Sequence, residues 1–460
     1  MLIRNAELDA YAGARMIADV RLSHIGVAEV GQLAAQPGER VIDAAGGALL
    51  PGLHDHHLHL FALAASRSSV VCGPPEVSDA GALANRLNSA PGSGWLRGIG
   101  YHESVAGDLD RQWLDRHGPD RPARVQHRGG RRWIVNSRGL DLLLAGGAAP
   151  PAGLDAQRGQ IDDGDRWLRL RLAGQFPDLA GISSELARFG VTGVTEMTPA
   201  NDATALAFLA EQQAVGALRQ RVVLGGGPDL PDHHSERLVV RYTKLHLHDA
   251  RLPDYAQTCV LVAESHARGR PVAFHCVTRA ELVFALAVLR EVGALAGDRI
   301  EHAGIAPDEA VAAVAELGLI VVTQPHFIAE RGDAYLAAVD PEDQPLLYRC
   351  AAFPRAGVML AGGSDAPFGR PDPWAAMTAA VSRFTAAGTT IGSQEHLSPE
   401  QALALFLGEG SQPQHFRAVT PGAPADLCLL HLPWSEARSR LDAGLVRLTL
   451  GAGAVLFERD

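Results

Sequence analysis

Short apolar runs rich in β-branched residues alternate with amphipathic helical stretches through most of the chain. This alternation is typical of parallel β-strands joined by right-handed helical crossovers. The predicted strand segments are residues 190–198, 239–249, 271–277, 299–303, 319–327 and 358–367. Metal-capable polar residues lie near the C-terminal ends of these segments, where the catalytic residues of a (β/α)₈ barrel lie. The pattern therefore predicts an α/β fold built on a TIM-type (β/α)₈ barrel.

The two ends of the chain and one internal stretch follow a different pattern. Residues 1–50 and the last forty residues resemble short strands separated by turns. Residues 74–180 are irregular and rich in Gly, Pro and Arg, with two strand-like segments, GWLRGIGYHE and RPARVQHRGGRRWIVNS. We expect a barrel over residues 51–414, with residues 74–180 inserted between early strands near the barrel mouth.

The strongest local motif is PGLHDHHLHL at residues 51–60. Side chains at positions i and i+2 of a strand share a face, so either His57 and His59 or His54 and His56 could point into the barrel. We favour His57 and His59, with Asp55 on the same face, because this register turns the neighbouring leucines outward.

The spacing of further candidates matches the length of a βα unit, about thirty residues. Lys244 and His275 are 31 residues apart, His275 and His302 are 27 apart, and His302 and Asp365 are 63 apart, or two units. This spacing places them on strands 4, 5, 6 and 8, with His57 and His59 on strand 1. Imidazoles and carboxylates are ligands suited to zinc or a similar divalent ion.

Lys244 is the only lysine among 41 basic residues. Arginine can replace lysine where a plain cation suffices, but not where an amine must lose its proton. A deprotonated amine carboxylated by CO₂ offers two oxygens that can bridge a pair of cations. Composition alone also allows an accident or a buried ion-pair lysine.

Structural roles stay open for the individual candidates. A single histidine such as His275 is often an interior residue with satisfied hydrogen bonds, and Asp365 could cap the helix that follows it. The metal-binding interpretation depends on all six residues falling together at strand ends.

Composition narrows the class of protein. Hydrophobic residues make up 47% of the 460 residues and charged residues 20%, which allows a large core and argues against disorder. A formal charge of −11 argues against a nucleic-acid partner, and the lack of any run of 18 apolar residues argues against a membrane one. Five scattered cysteines and the absence of a signal-peptide pattern predict a cytoplasmic protein. We expect a small-molecule substrate, and a homodimer stays open.

At these residues the sequence resembles the amidohydrolase superfamily, and within it the YtcJ-like branch that includes N-substituted formamide deformylases. The resemblance spans nearly the whole chain and rests on LHDHHLHL, YTKLHLH, AFHCV, RIEHA and GGSDAPF. It implies HxH on strand 1, a carboxylated lysine on strand 4, histidines on strands 5 and 6, and an aspartate on strand 8. It also implies a composite β-sandwich formed by residues 1–50 and 415–460.

The resemblance implies a metal-dependent hydrolase that cleaves an amide-like carbon–nitrogen bond. Its metals would be two Zn²⁺ bridged by carboxylated Lys244, and a mononuclear site stays open. One ion would be held by His57, His59, Lys244 and Asp365, and the other by Lys244, His275 and His302. Asp365 would take the proton of the attacking water and return it to the leaving nitrogen.

Two segments depart from the branch pattern near the expected substrate contacts. Arg131 stands in GGRRWIVNS where the branch often has histidine, and HCVTR lacks the usual Gly-Asp after the strand 5 ligand. The side chains that we expect to contact substrate are Tyr101, His102, Arg128, Arg131, Trp133, Gln324, His326 and Arg370.

Other functions stay open at this point. A lyase, a decarboxylase or a deaminase could use the same ligands. A Schiff-base enzyme working through Lys244 without metal would leave the histidines unexplained, and a catalytically silent binding protein would have little use for a complete ligand set.

Overall fold

The computed structural model describes residues 1–23, 26–147, 149–172 and 176–459. The chain divides into two compact units, one formed by Met1–Leu60 together with Leu179–Asp460, and the other by Phe61–Asp178.

The larger unit contains an eight-stranded parallel sheet that closes into a nearly complete barrel, as predicted. Barrel strands 1 to 8 pair with one another in chain order. They are Leu53–Leu58, Val191–Glu196, Arg221–Gly226, Leu238–His246, Val272–Cys276, Arg299–His302, Ile320–Thr323 and Leu360–Gly362. Strand 3 is missing from the predicted segments. Backbone hydrogen bonds from Asp365 N to His57 O (2.7 Å) and from His59 N to Ala366 O (2.9 Å) join the two ends of the sheet.

Helices of this unit connect and follow the strands. They are Ala180–Arg188, Ala203–Ala214, Tyr255–Ala267, Arg279–Val292, Asp308–Glu316, His326–Ala338, Ala352–Arg355, Pro373–Ser382, Pro399–Ala404 and Trp434–Ala437. Of a further helix, Leu60–Ser66, only Leu60 belongs to this unit, and the other residues belong to the smaller one. The helix after strand 5 matches the predicted stretch and begins with a capping box, in which Thr278 and Glu281 each accept a backbone N–H of the other. Short 3₁₀ turns occur at Ala10–Ala12, Asp249–Arg251, Gln344–Leu346, Ser393–Glu395 and Ala443–Leu445.

The chain ends form two four-stranded sheets that share one hydrophobic core. The first sheet pairs Gly26–Gly31, Met16–Ser23, Leu2–Leu8 and Val41–Asp43, and the second pairs Ala454–Glu458, Val446–Gly451, Leu427–Leu430 and Leu49–Pro51. Ile3 and Val20 from the start of the chain pack with Leu429 and Leu448 from its end. Burial of these side chains ties the two ends into a composite β-sandwich.

The smaller unit is built on a six-stranded mixed sheet. In sheet order its strands are Leu154–Asp155, Gln160–Asp162, Arg132–Val135, Ala123–His127, Leu96–Tyr101 and Val70–Val71. Its helices are Ala80–Asn88, Glu103–Ala106, Arg111–His117, Ser137–Leu144 and Asp165–Arg171. Both predicted strand-like segments form strands. The unit begins at Phe61 rather than at residue 74, because Val70–Val71 already pairs within this sheet.

Among the described residues, no helix combines the length and the apolar character needed to cross a membrane.

The contact that closes the barrel predicts a specific sensitivity to added volume. A Cβ placed on Gly363 would lie 2.6 Å from both the backbone N and the Cβ of His57. We expect Gly363→Ala to lower the free energy of unfolding by about 1–3 kcal/mol, because backbone must move to make room. Gly181 lies in a helix, and a Cβ there meets no atom within 4 Å, so Gly181→Ala should instead stabilise by up to about 1 kcal/mol. Urea unfolding followed by circular dichroism measures both, and equal stability of Gly363→Ala and wild type would contradict the close approach.

Candidate metal centre

An irregularity in the pairing of barrel strand 1 with strand 2 determines the direction in which the histidine side chains of strand 1 point. Residues 55–58 of this strand pair with residues 194–196 of strand 2, so strand 1 contains one extra residue. His54 Nε2 is hydrogen-bonded to Thr195 Oγ1 at 2.9 Å, whereas His57 reaches residues of strands 6 and 8. The extra residue breaks strict alternation, and side chains from both possible registers are buried.

The structure brings His57 and His59 together with Asp365. Asp365 Oδ1 lies 3.4 Å from His57 Nε2 and 3.1 Å from His59 Nε2. One potential ligand atom from each of the three residues lies within 4.8 Å of the other two. Asp55 accepts hydrogen bonds from the backbone N of His57 and of Ser364, both at 3.0 Å, and so links strand 1 to the segment that carries Asp365.

Asp365 lies in the turn after strand 8 and does not cap a helix. The next helix is capped by Asp372, which accepts from Trp374 N. Asp365 has a φ of 52°, a left-handed conformation that is unfavourable for a non-glycine residue. Burial alone would raise its pKa, but hydrogen bonds from His57 and His59 hold the pKa of Asp365 well below its usual range. Its carboxylate is therefore ionised and directed toward the two histidines.

Lys244 lies on strand 4 with its amine buried. Its side chain lies 5% exposed, and within the described residues Nζ has no hydrogen-bond partner. Burial lowers the pKa of Lys244 to about 8, although the charges of Glu301 and Asp365 partly oppose this effect. An amine with this pKa is neutral for about a tenth of the time at pH 7, far more often than an ordinary lysine with a pKa of 10.5.

His275 and His302 complete the cluster on strands 5 and 6. Their ring centres are 4.4 Å apart, and the ring centre of His302 is 4.9 Å from that of His57. Burial lowers the pKa of His302 to about 3 and that of His275 well below its usual range, so both rings are neutral. His302 follows Glu301 directly, but its φ of 71° breaks the strand alternation and lets both side chains reach this cluster.

A buried ion network that supports His57 was not predicted from the sequence. His57 Nδ1 is hydrogen-bonded to the carboxylate of Glu301, which also receives Arg299 Nε. The guanidinium of Arg299 lies 4.2 Å from the ring centre of Tyr242, and its Nη2 donates to His56 O at 2.9 Å. With Nδ1 bonded to Glu301, the other ring nitrogen of His57 is directed toward Asp365. The adjacent acid in RIEH is the one sequence signal that could have pointed to this role.

The chemistry of these side chains fits a divalent metal ion. The neutral imidazoles of His275 and His302 and the ionised carboxylate of Asp365 lie at the C-terminal ends of the strands together with His57 and His59, and this donor set suits zinc. Within the described part of the chain, the buried His302 Nε2 and Lys244 Nζ have no hydrogen-bond partner, an arrangement that is costly unless a ligand satisfies them. A carboxylate that orients a ligating histidine through its other nitrogen, as Glu301 does, is the usual support of a metal site.

Three of the expected substrate contacts lie in the same unit as this cluster. Gln324 Oε1 accepts from His302 Nδ1 at 2.7 Å and thereby fixes the ring. His326 is buried, and its Nε2 donates to Ser364 O at 3.0 Å. Arg370 is exposed, with Nε 3.8 Å from Glu330. Gln324 and His326 therefore form hydrogen bonds with neighbouring protein groups, which residue spacing alone could not predict.

The other five expected contacts lie in the smaller unit. Tyr101 is buried and donates to Gly107 O at 2.6 Å, and His102 caps the short helix that follows it. Trp133 Nε1 donates to Asp165 at 2.9 Å, and Arg131 forms an ion pair with an aspartate of its own unit, Asp163. The backbone N of Arg128 donates to Tyr101 O at 2.8 Å. Their contact with substrate stays a prediction.

Comparison with known proteins agrees with this geometry. The model of an amidohydrolase family matches residues 40–457. The chain belongs to this family. This amidohydrolase is 23% identical to the N-substituted formamide deformylase of Arthrobacter pascens, over 97% of this chain and 95% of the relative. It is also 23% identical to the putative amidohydrolase YtcJ of Bacillus subtilis, over 44% of this chain and 40% of that protein.

A solved structure shares the fold of this amidohydrolase. It is an uncharacterized metal-dependent hydrolase from Pyrococcus horikoshii, with a TM-score of 0.78 and 20% sequence identity. The alignment covers 95% of this chain and 99% of that one. The predicted family and the predicted barrel are both confirmed, and the chain is a hydrolase of this family.

The depressed pKa of Lys244 predicts a pH-dependent stability. Below pH 8 the folded protein must bury a charged amine, and this cost disappears above the usual pKa of 10.5, where the amine is neutral in both states. In chelator-treated protein, Lys244→Met should therefore raise the free energy of unfolding by up to about 3 kcal/mol at pH 7, with the gain vanishing above pH 10.5.

Urea unfolding at several pH values measures this gain. Arg290→Met serves as the control, because Arg290 is an exposed cation paired with Glu316, and its loss should change stability by less than about 0.5 kcal/mol at any pH. A lower free energy of unfolding for Lys244→Met than for wild type at pH 7 would show that burial of the charged amine does not destabilise the folded protein.

Proposed function

We propose that this amidohydrolase is metal-dependent and hydrolyses an amide-like carbon–nitrogen bond outside peptides, such as a cyclic amide or an N-acyl or N-formyl group. The observation that carries the proposal is the placement of the only lysine. Lys244 is buried on strand 4, near the ionised Asp365 and the neutral His275 and His302. A structural cation in that place could have been an arginine, as every other basic residue of the chain is.

In this proposal His57, His59, Lys244 and Asp365 would hold one divalent ion, and Lys244, His275 and His302 would hold a second. Bound zinc would lower the pKa of a water molecule and polarise the scissile carbonyl. Only an unprotonated amine has the free electron pair that attacks CO₂, so the neutral form of Lys244 would give the carbamate, with loss of one N–H proton. The carbamate would offer two oxygens as metal ligands, which an arginine cannot.

Asp365 is the residue that we propose for proton transfer. Its carboxylate is ionised, so it can accept the proton of the attacking water. The same carboxyl group would then return that proton to the leaving nitrogen, which would depart as a neutral amine. Glu301 and Gln324 keep the rings of His57 and His302 in place through hydrogen bonds to their Nδ1 atoms during this transfer.

The proposal of a carbon–nitrogen bond is supported by a relative that is similar to this chain over nearly its whole length. The Arthrobacter pascens protein that resembles this chain over 97% of its length is an N-substituted formamide deformylase. The departures at Arg131 and after His275 suggest a different acyl or amine group for this chain. Our proposal therefore covers the carbon–nitrogen bond, and a substrate screen is needed to identify the acyl and amine groups on either side of it.

A substrate screen tests the proposal. Purified enzyme is incubated with N-substituted formamides, N-acyl amino acids, cyclic amides and carbamates, before and after chelation. We expect hydrolysis of at least one class, loss of that activity with the chelator, and recovery on addition of Zn²⁺. Turnover that persists in thoroughly chelated protein, or release of CO₂ without hydrolysis, would favour another reaction on this barrel.

Lys244→Arg tests the bridging role directly. We expect at least about a hundredfold loss of kcat, because a guanidinium cannot form the carbamate. Arg290→Lys is the matched control, since it adds an exposed lysine and should keep wild-type turnover. Near-normal activity of Lys244→Arg would rule out the bridge.

The single lysine also gives this variant a spectroscopic readout. After incubation with ¹³C-bicarbonate and Zn²⁺, we expect one lysine carbamate resonance in wild type and in Arg290→Lys, and none in Lys244→Arg. Its absence from active wild-type protein would mean that Lys244 acts without carboxylation.

A further inference from the structure

Two arginines stand side by side on one face of the sheet in the smaller unit. Arg97 lies on strand Leu96–Tyr101 and Arg124 on the parallel strand Ala123–His127, and the two residues are register partners. Partners in adjacent parallel strands project from the same face, so two like charges are held next to each other. Both residues are partly buried. Such a pair of like charges is unfavourable unless a nearby negative charge offsets the repulsion between them.

Neutral groups account for the hydrogen bonds of this pair. Arg97 Nη1 donates to Ser69 Oγ at 2.6 Å, and its Nη2 donates to Gln126 Oε1 at 3.4 Å. Arg124 Nε is buried and, among the described residues, has no hydrogen-bond partner. The guanidinium carbons of Arg97 and Arg124 lie 5.3 and 5.0 Å from the ring centre of Trp133. The indole therefore packs against both cations without neutralising either.

One carboxylate lies close enough to act on the pair. Asp165 accepts from Trp133 Nε1 at 2.9 Å, and its charge acts on both arginines. In the described ranges, neither arginine has an acidic oxygen within the 4.0 Å of an ion pair. Burial lowers the pKa of Arg97 and of Arg124 to about 10. This face therefore carries two guanidinium groups against one acid, an excess of one positive charge.

We propose that Arg97 and Arg124 bind the oxyanion group of a small molecule, a carboxylate or a phosphate, against the indole of Trp133. One such group would neutralise the excess charge and would accept hydrogen bonds from Arg124. Guanidinium groups bind planar and tetrahedral oxyanions through paired N–H donors. The site lies wholly within the smaller unit, and its residues are separate from the candidate metal ligands.

Two probes distinguish the sources of the oxyanion. Isothermal titration of full-length protein is carried out with inorganic phosphate and with acetate, at constant ionic strength maintained with NaCl. We expect saturable binding of at least one probe by wild type, and the tighter probe identifies the class. Arg124→Gln should weaken that binding at least about tenfold. Arg138→Gln is the control, because Arg138 is an exposed arginine of the same unit whose partner is Asp120, and it should bind as wild type does.

Thermal unfolding without probe separates binding from a merely structural role. Without a bound anion, the proposed site has an uncompensated positive charge, and Arg124→Gln removes it. The Tm of this variant should therefore equal or exceed that of wild type in buffer of low anion content. Added probe should then raise the Tm of wild type but not that of the variant.

Arg124→Lys retains the positive charge but lacks the paired N–H donors of a guanidinium. This variant should bind the probe with an affinity between those of wild type and Arg124→Gln. The proposal is overturned if wild type binds neither probe saturably, or if Arg124→Gln and Arg138→Gln bind equally well. If Arg124→Gln fails to fold, Arg124→Lys decides, and unaltered binding by that variant overturns the proposal.

Discussion

The hydrogen bond from Asp365 N to His57 O is the contact on which the candidate site depends. It joins the segment after the last barrel strand to the first strand, and it brings the Asp365 carboxylate to the two histidines of strand 1. Asp55 reinforces the same junction by accepting from the backbone of both His57 and Ser364. Closure of the barrel and assembly of the ligand cluster are therefore one structural event, and the left-handed backbone of Asp365 is the local cost of that arrangement.

The buried charges around this junction are organised for chemistry at the expense of stability. Lys244 is desolvated, and the negative charges of Glu301 and Asp365 compensate only part of that cost, whereas the positive charge of Arg299 adds to it. Glu301 is held ionised by Arg299, Lys244 and His57, although burial alone would raise its pKa. Groups that a protein buries with shifted pKa values are characteristic of functional sites. The composite sandwich and the helices around the barrel provide the apolar burial that offsets these costs.

The sequence predicted the barrel and the strand positions of the six ligand candidates, because residue spacing along parallel strands is set by the length of a βα unit. It did not predict the extra residue in strand 1, since pairing irregularities depend on both strands. Glu301 was missed because its role comes from a partner 244 residues away. Contact of Gln324 and His326 with substrate stays a prediction, and the sequence did not predict their hydrogen bonds to His302 and to the Ser364 backbone. Such contacts depend on tertiary packing rather than on local pattern.

We propose that these six side chains together hold two divalent ions. Elemental analysis of protein that has been loaded with Zn²⁺ and dialysed free of excess metal measures their content. Wild type should retain two zinc ions per chain, and Asp365→Asn should retain clearly fewer. The exposed Glu316→Gln serves as control and should retain the wild-type content. Retention of no zinc by wild type, or of the full wild-type content by Asp365→Asn, would show that these side chains do not bind the metal as proposed.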